Sequence, residues 1–83
     1  MNETIRELVK KHGGLQIDVD TIDGGADLYA AGLSSFASVQ LMLAIEEHFD
    51  VEFPDSLLNR KSFQSVDAIV RTVSSITDGR KVA

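Results

Sequence analysis

The 83-residue chain is predicted to be all-α, a small four-helix bundle of three longer helices and one short helix, with a long loop between the first two. Two observations lead there. Apolar residues recur at helical spacing in separate segments. Residues that start and stop helices stand at the borders of those segments: Gly13 and Gly14, Ser34 and Ser35, Pro54, and Ser65. At this length the chain forms one domain, residues 1–78, with too little interior for a deep catalytic cleft beside a core.

In the first segment, residues 2–12, Ile5, Leu8 and Val9 share a helical face. Glu3 and Glu7 come early and Lys10, Lys11 and His12 late, as the helix dipole favours. Gly13 and Gly14 end it. The loop that follows is about twenty residues long, and in a compact domain such a loop is either functional or conceals an element. Its candidate anchors on the core are Leu15, Ile17, Val19, Ile22 and Leu28.

The second helix starts at Ser34 or Ser35 and reaches Phe49, because no breaker interrupts "FASVQLMLAIEEHF" and most of its residues favour helix. Leu41, Met42, Ile45 and Phe49 form its core stripe with the small Ser38. Phe36, Val39 and Leu43 fall on the opposite side with Gln40, Glu46 and Glu47, a second apolar patch that a helix packed on one side does not need. Pro54 with Asp55 or Ser56 starts a short helix, residues 56–61. Ser65 caps the last, residues 65–77, whose Val66, Ile69, Val70, Val73 and Ile76 repeat at helical period. The final "TDGRKVA" has no periodicity, and residues 79–83 are expected to be a mobile tail.

Composition removes several functions. Thirteen acidic and eight basic residues leave a net charge of −5. No basic cluster exceeds the pairs Lys10-Lys11, Arg60-Lys61 and Arg80-Lys81. Nucleic acid is therefore not an expected partner, since phosphate binding needs a concentrated positive face; a partner with a basic surface suits the charge better. Without cysteine there is no disulfide, thiolate metal site or cysteine nucleophile. No leader pattern and no stretch long enough for a membrane span is found, so the reading is a soluble cytoplasmic monomer without membrane insertion.

Candidate chemistry narrows quickly. Read as a calcium loop, "DVDTIDGGAD" would put Ile22 at the fifth ligand position and Tyr29 at the twelfth, where a carboxylate is required. Turn chemistry accounts for it better. The two histidines, His12 and His48, are structural in this reading, and His48 lies almost four turns beyond Ser35 on the same helix. Neither glycine pair has phosphate-loop spacing. In "AGLSSFASVQL", one serine suffices as a cap. The next stands at a helix N-terminus, where free amides and the dipole would stabilise an esterified phosphate.

The stretch "DLYAAGLSSFASVQLMLAIEEHFDVEFP" resembles the prosthetic-group region of the acyl carrier proteins and of the peptidyl and aminoacyl carriers: D-L, then G-L, then a serine leading into a long helix that ends in acids and an aromatic. A weaker similarity continues through "FPDSLLNRKSFQSVDAIV", so that about residues 27–73 are covered. The resemblance implies an acyl-carrier-like fold and a carrier in place of an enzyme. Ser35 matches the serine that a phosphopantetheinyl transferase esterifies with 4′-phosphopantetheine from coenzyme A, and the arm's thiol would hold the cargo as a thioester. A loading ligase and a downstream transferase are the further implied partners. No cysteine of the chain would compete with that thiol.

Three positions depart from the family pattern. Ser34 stands where Asp is common, and Ala37 and Gln40 where fatty-acid carriers often have acids. "SSFASVQL" is similar to the S-F-x-T-V-Q-L of D-alanyl carrier proteins, which favours an aminoacyl over a fatty-acyl cargo by analogy. Phe36, Val39 and Leu43, rimmed by Glu46 and Glu47, are the expected partner-docking surface; the alternative is that they are buried beneath the long loop. Arg60 and Lys61 are either contributors to partner choice or a solvated pair. A fatty-acyl carrier for lipid or polyketide-type synthesis and a non-covalent helical adaptor are the alternative functions.

Overall fold

Helix α1, Asn2–His12, buries Ile5, Leu8 and Val9 and leaves its charged residues outside, with Glu3 in the first turn and Lys10, Lys11 and His12 in the last. The Gly13 amide donates to the Val9 carbonyl at 2.8 Å, and Gly14 turns the chain out through a left-handed φ of 64°. The computed structural model describes the backbone of residues 2–15 and 18–82 and the side chains of these up to residue 77.

The long connection is pinned from both sides. Val19, Leu28 and Leu33 are buried in the core, and Leu15 and Ile22 pack against it; Ile17, the remaining expected anchor, lies outside the described residues. Arg6 reaches across from α1, its Nη1 donating to the carbonyls of Val19 at 2.7 Å and Ile22 at 2.9 Å. Lys10 pairs with Asp20 at 2.7 Å. The loop acids serve the backbone. Asp18, Asp23 and Asp27 accept from amides two residues on, at Asp20, Gly25 and Tyr29, the Asx turns that make Asp a loop residue.

Helix α2 spans Ser35–Phe49. Leu41 and Ile45 are fully buried, with Met42, Ala37, Ala44 and Phe49 packed at the edge of the core. Asp50 closes the helix in the left-handed region at φ 54°, its amide donating to the Glu46 carbonyl. The chain then dives inward through Val51 and Phe53, whose ring stacks on Phe63 at 5.4 Å.

The expected short helix over 56–61 is not formed. In its place are two 3-10 turns, Asp55–Leu57 and Arg60–Phe63, so the described chain has three α-helices and two short 3-10 helices. Asn59 divides them. It adopts extended backbone angles, φ −143° and ψ 164°. Its Oδ1 accepts from the Ser62 amide at 3.0 Å, and its Nδ2 donates to the Ser56 carbonyl at 3.1 Å. An Asn side chain that satisfies backbone groups locally competes with helix at that position.

Helix α3 runs Val66–Val82, past its expected end near residue 77. A single interior glycine, Gly79, costs a helix only about 1 kcal/mol relative to Ala and does not by itself stop it. The Ser65 hydroxyl caps α3 by accepting from the Ala68 amide at 3.0 Å. Val66, Ile69 and Val73 are fully buried, with Val70 and Ile76 beside them.

Candidate functional site

The site is assembled where the long loop meets α2 and the 3-10 segment. The Leu28 amide donates to the Gln64 carbonyl at 2.7 Å, tying the loop to the residue that follows the second 3-10 turn. A tight turn then brings the Leu33 amide back to the Leu28 carbonyl at 2.9 Å, through Gly32 at φ 117°, a value that an L side chain rarely adopts. Buried Leu33 anchors the turn. Ser34 and Ser35 are thereby delivered to the protein surface in a fixed register.

The two serines have different environments. Ser34 is the N-cap, in extended conformation, and its hydroxyl accepts from the Ala37 amide at 3.0 Å. Ser35 is the first helical residue and is exposed, and its hydroxyl makes no hydrogen bond with the described residues. The amides of Ser35 and Phe36 likewise find no acceptor there. The capping serine is thus occupied, and its neighbour presents a free hydroxyl beside unspent amide donors and the positive end of the α2 dipole.

Ser35 lines a groove of about 390 Å³ whose other walls include Tyr29, Val39, Met42, Arg60 and Phe63. Its size lies within the range of small-molecule sites. Arg60 lies over the Tyr29 ring, its Cζ 4.2 Å from the centroid. These residues fit a phosphorylated arm on Ser35: a hydroxyl free of bonds to the described residues, amide donors suited to a phosphate, a guanidinium, and an open, largely apolar wall.

Phe36, Val39 and Leu43 are 75%, 50% and 50% exposed, which rules out their burial under the loop. Glu47 projects outward next to them. Glu46 has a second job: its Oε2 accepts from the Phe53 amide at 2.8 Å, so one oxygen of the expected acidic rim holds the exit of α2. Leu58, 43% exposed, also lines the groove and lay outside the sequence-based patch. Tyr29, Leu58 and Arg60 carry no periodic signal that could have assigned them to this site, because loop packing alone brings them to Ser35. His48 contacts the Phe49 ring edge-on at 4.9 Å, and His12 is exposed at the end of α1. Among the described residues no acid or histidine cluster suited to a metal ion is present, and no helix is long and apolar enough to cross a membrane.

Comparison with known proteins converges on one family. Residues 3–73 match the family described as a phosphopantetheine attachment site. An aminoacyl carrier protein of Agrobacterium fabrum is 68% identical over 83 residues, covering 100% of both chains. A D-alanyl carrier protein of Lactobacillus acidophilus is 34% identical over 61 residues, 74% of this chain and 70% of its own. Among solved structures, the fold matches that of the Agrobacterium tumefaciens carrier protein in complex with an engineered Bradyrhizobium japonicum glycine:[carrier protein] ligase and AMP. That match has a TM-score of 0.86 at 70% identity and covers 89% of this chain and 99% of the other. In a complex of the Bradyrhizobium japonicum ligase with glycylated carrier protein, the corresponding values are 0.73 and 31%, over 86% and 95%. The chain therefore belongs to the phosphopantetheine attachment family, as a carrier protein whose cofactor is phosphopantetheine.

Proposed function

We propose that this protein is an aminoacyl carrier that receives its 4′-phosphopantetheine at Ser35, is loaded with a small amino acid by a ligase of the glycine:[carrier protein] kind, and passes it to a downstream transferase. The observation that carries the site assignment is the division of labour between the serines: the Ser34 hydroxyl is consumed by the α2 cap, and the Ser35 hydroxyl is exposed and uncommitted. The cargo assignment is supported by the 70% identity to a carrier co-crystallised with a glycine:[carrier protein] ligase. When bound, phosphopantetheine supplies a thiol on a flexible arm that can hold an amino acid as a thioester.

The chain's own contribution is presentation. In the modification step the Ser35 Oγ forms a bond to the phosphorus attached to the pantetheine half of coenzyme A. The P–O bond to the adenosine bisphosphate half breaks, and the serine proton passes to the transferase. The rigid cap at Ser34 fixes where that oxygen stands. Phe36, Val39 and Leu43 give the transferase and the ligase an apolar landing surface around it, with Glu47 at its rim. From Ser35 to Ile45 the helix carries no charged residue. Docking next to the modified serine thus relies on apolar contact, which suits a partner that must leave after each cycle.

Incubation with coenzyme A and a broad-specificity phosphopantetheinyl transferase, followed by intact-mass measurement, tests the first half. A single phosphopantetheine adduct is expected. Its absence would leave the non-covalent adaptor reading in place. Offering the modified protein a panel of amino and fatty acids with glycine:[carrier protein] ligase and ATP tests the second half, and a thioester with a small amino acid is expected. Exclusive acceptance of fatty acids from acyl ligases would replace the aminoacyl reading.

A further inference from the structure

Among the described residues that line the groove beside Ser35, Arg60 is the one that carries a charge. The chain has 13 acidic residues against 8 basic ones. Yet among the described residues this guanidinium has no carboxylate within ion-pair distance, and the ion pair seen there joins Lys10 to Asp20. Its place is taken up instead with the Tyr29 ring, 4.2 Å from Cζ. Contact with a ring face uses none of the guanidinium N–H groups as hydrogen-bond donors, and their planar fork matches a phosphate.

The backbone of both residues is held in place. Arg60 opens the 3-10 turn capped by Asn59, and Tyr29 is held through its amide, which donates to Asp27 Oδ1 at 2.9 Å. The Leu28–Gln64 backbone bond locks the two segments together. Ser35 lines the same groove, and its amide and that of Phe36 have no acceptor among the described residues.

We propose that Arg60, seated on Tyr29, is a positioning residue for the phosphodiester that Ser35 acquires, pairing its N–H edge with the anionic oxygen and, with the α2 amides, setting the direction in which the arm leaves the protein. The proposal rests on Ser35 as the attachment point. It assigns the Arg60–Tyr29 pair a role that appears only after modification. Before modification the guanidinium has no anion at Ser35 to meet. Afterwards a permanent negative charge stands at the mouth of the groove it lines. A lysine could supply charge but not a planar fork of donors, so Arg60→Lys should retain only part of the effect.

The test is phosphorus-31 NMR of the modified protein, with intact mass as a separate check that Ser35 carries the group. Wild type, Arg60→Gln and Arg60→Lys are compared. The wild-type phosphorus resonance is expected to be displaced from that of Arg60→Gln, with Arg60→Lys between them. Raising the salt to about 1 M, where the screening length falls to about 3 Å, should move the wild-type resonance towards the Arg60→Gln position. The Arg60 Nε proton should also exchange more slowly in the modified than in the unmodified protein. Identical phosphorus resonances in wild type and Arg60→Gln, or a wild-type resonance indifferent to salt, would overturn the role of Arg60 and leave Ser35 standing. The salt titration uses the unaltered protein, so it decides even if Arg60→Gln disturbs the Tyr29 loop. Failure to obtain a Ser35 adduct by mass would overturn the attachment reading itself, a distinct result.

Discussion

Single alanine substitutions at Ser34 and Ser35 should have opposite consequences. Ser34→Ala removes the hydroxyl that accepts from the Ala37 amide at 3.0 Å. An N-cap of this kind contributes about 1 kcal/mol. For 83 residues the unfolding entropy near the midpoint is about 0.17 kcal/mol/K, so that loss should lower Tm by about 6 °C. Ser35→Ala removes a hydroxyl with no hydrogen bond at an exposed helical position where Ala is the better helix former, so Tm should be unchanged or slightly raised. Thermal melts by far-UV circular dichroism, run beside intact-mass assays of modification, read both properties. The expected pattern is a destabilised Ser34→Ala protein that still accepts phosphopantetheine and a stable Ser35→Ala protein that does not. If Ser34→Ala melts with the wild type, or if Ser35→Ala is modified, the division of roles between the serines is wrong.

Three further outcomes follow from the same geometry. Phe36→Glu, at a side chain 75% exposed, should leave the helical spectrum intact and raise the ligase's KM for the carrier about tenfold, the effect of a modest hot spot; equal loading kinetics would remove Phe36 from the docking surface. Arg6→Met deletes two donors to the Val19 and Ile22 carbonyls, and urea unfolding should show a loss of about 2 kcal/mol; a change within error would show that the apolar anchors hold the loop alone. Asp20 raises the Lys10 pKa through a hydrogen bond and charge, so Asp20→Asn should return it towards its ordinary value in an NMR titration of the lysine side chain. Because the folded value is the raised one, the contribution of this pair is fully present below the unfolded pKa and is lost only as pH climbs through the folded pKa. Stability near pH 7 should therefore be insensitive to small pH changes through Lys10.

Local patterning made much of the fold legible. Ile5, Leu8 and Val9, then Leu41 and Ile45, then Val66, Ile69 and Val73 are all buried, because a stripe repeating at helical period can face only one side. Gly14 and Ser65 act as the stop and the cap that their chemistry suggests. The short helix failed for a local reason of another kind: Asn59 satisfied neighbouring backbone groups with its own side chain, which periodicity does not register. Glu46, grouped by stepping with the outward patch, turned out to hold the Phe53 amide, a contact that exists only once the chain has turned back at Asp50.

By itself the sequence determined three core-facing stripes, the helix start at Ser34 and Ser35, the absence of any internal thiol, and the apolar surplus on the outer face of α2. Each is a property of neighbours along the chain or of composition, and needs no knowledge of the fold. The Ser34 cap on the Ala37 amide, three residues on, is equally local, and the tertiary structure decided something else. It alone brought Tyr29 and Arg60 to Ser35, because those residues are joined through loop packing and the Leu28–Gln64 bond, interactions between distant segments that no local pattern encodes.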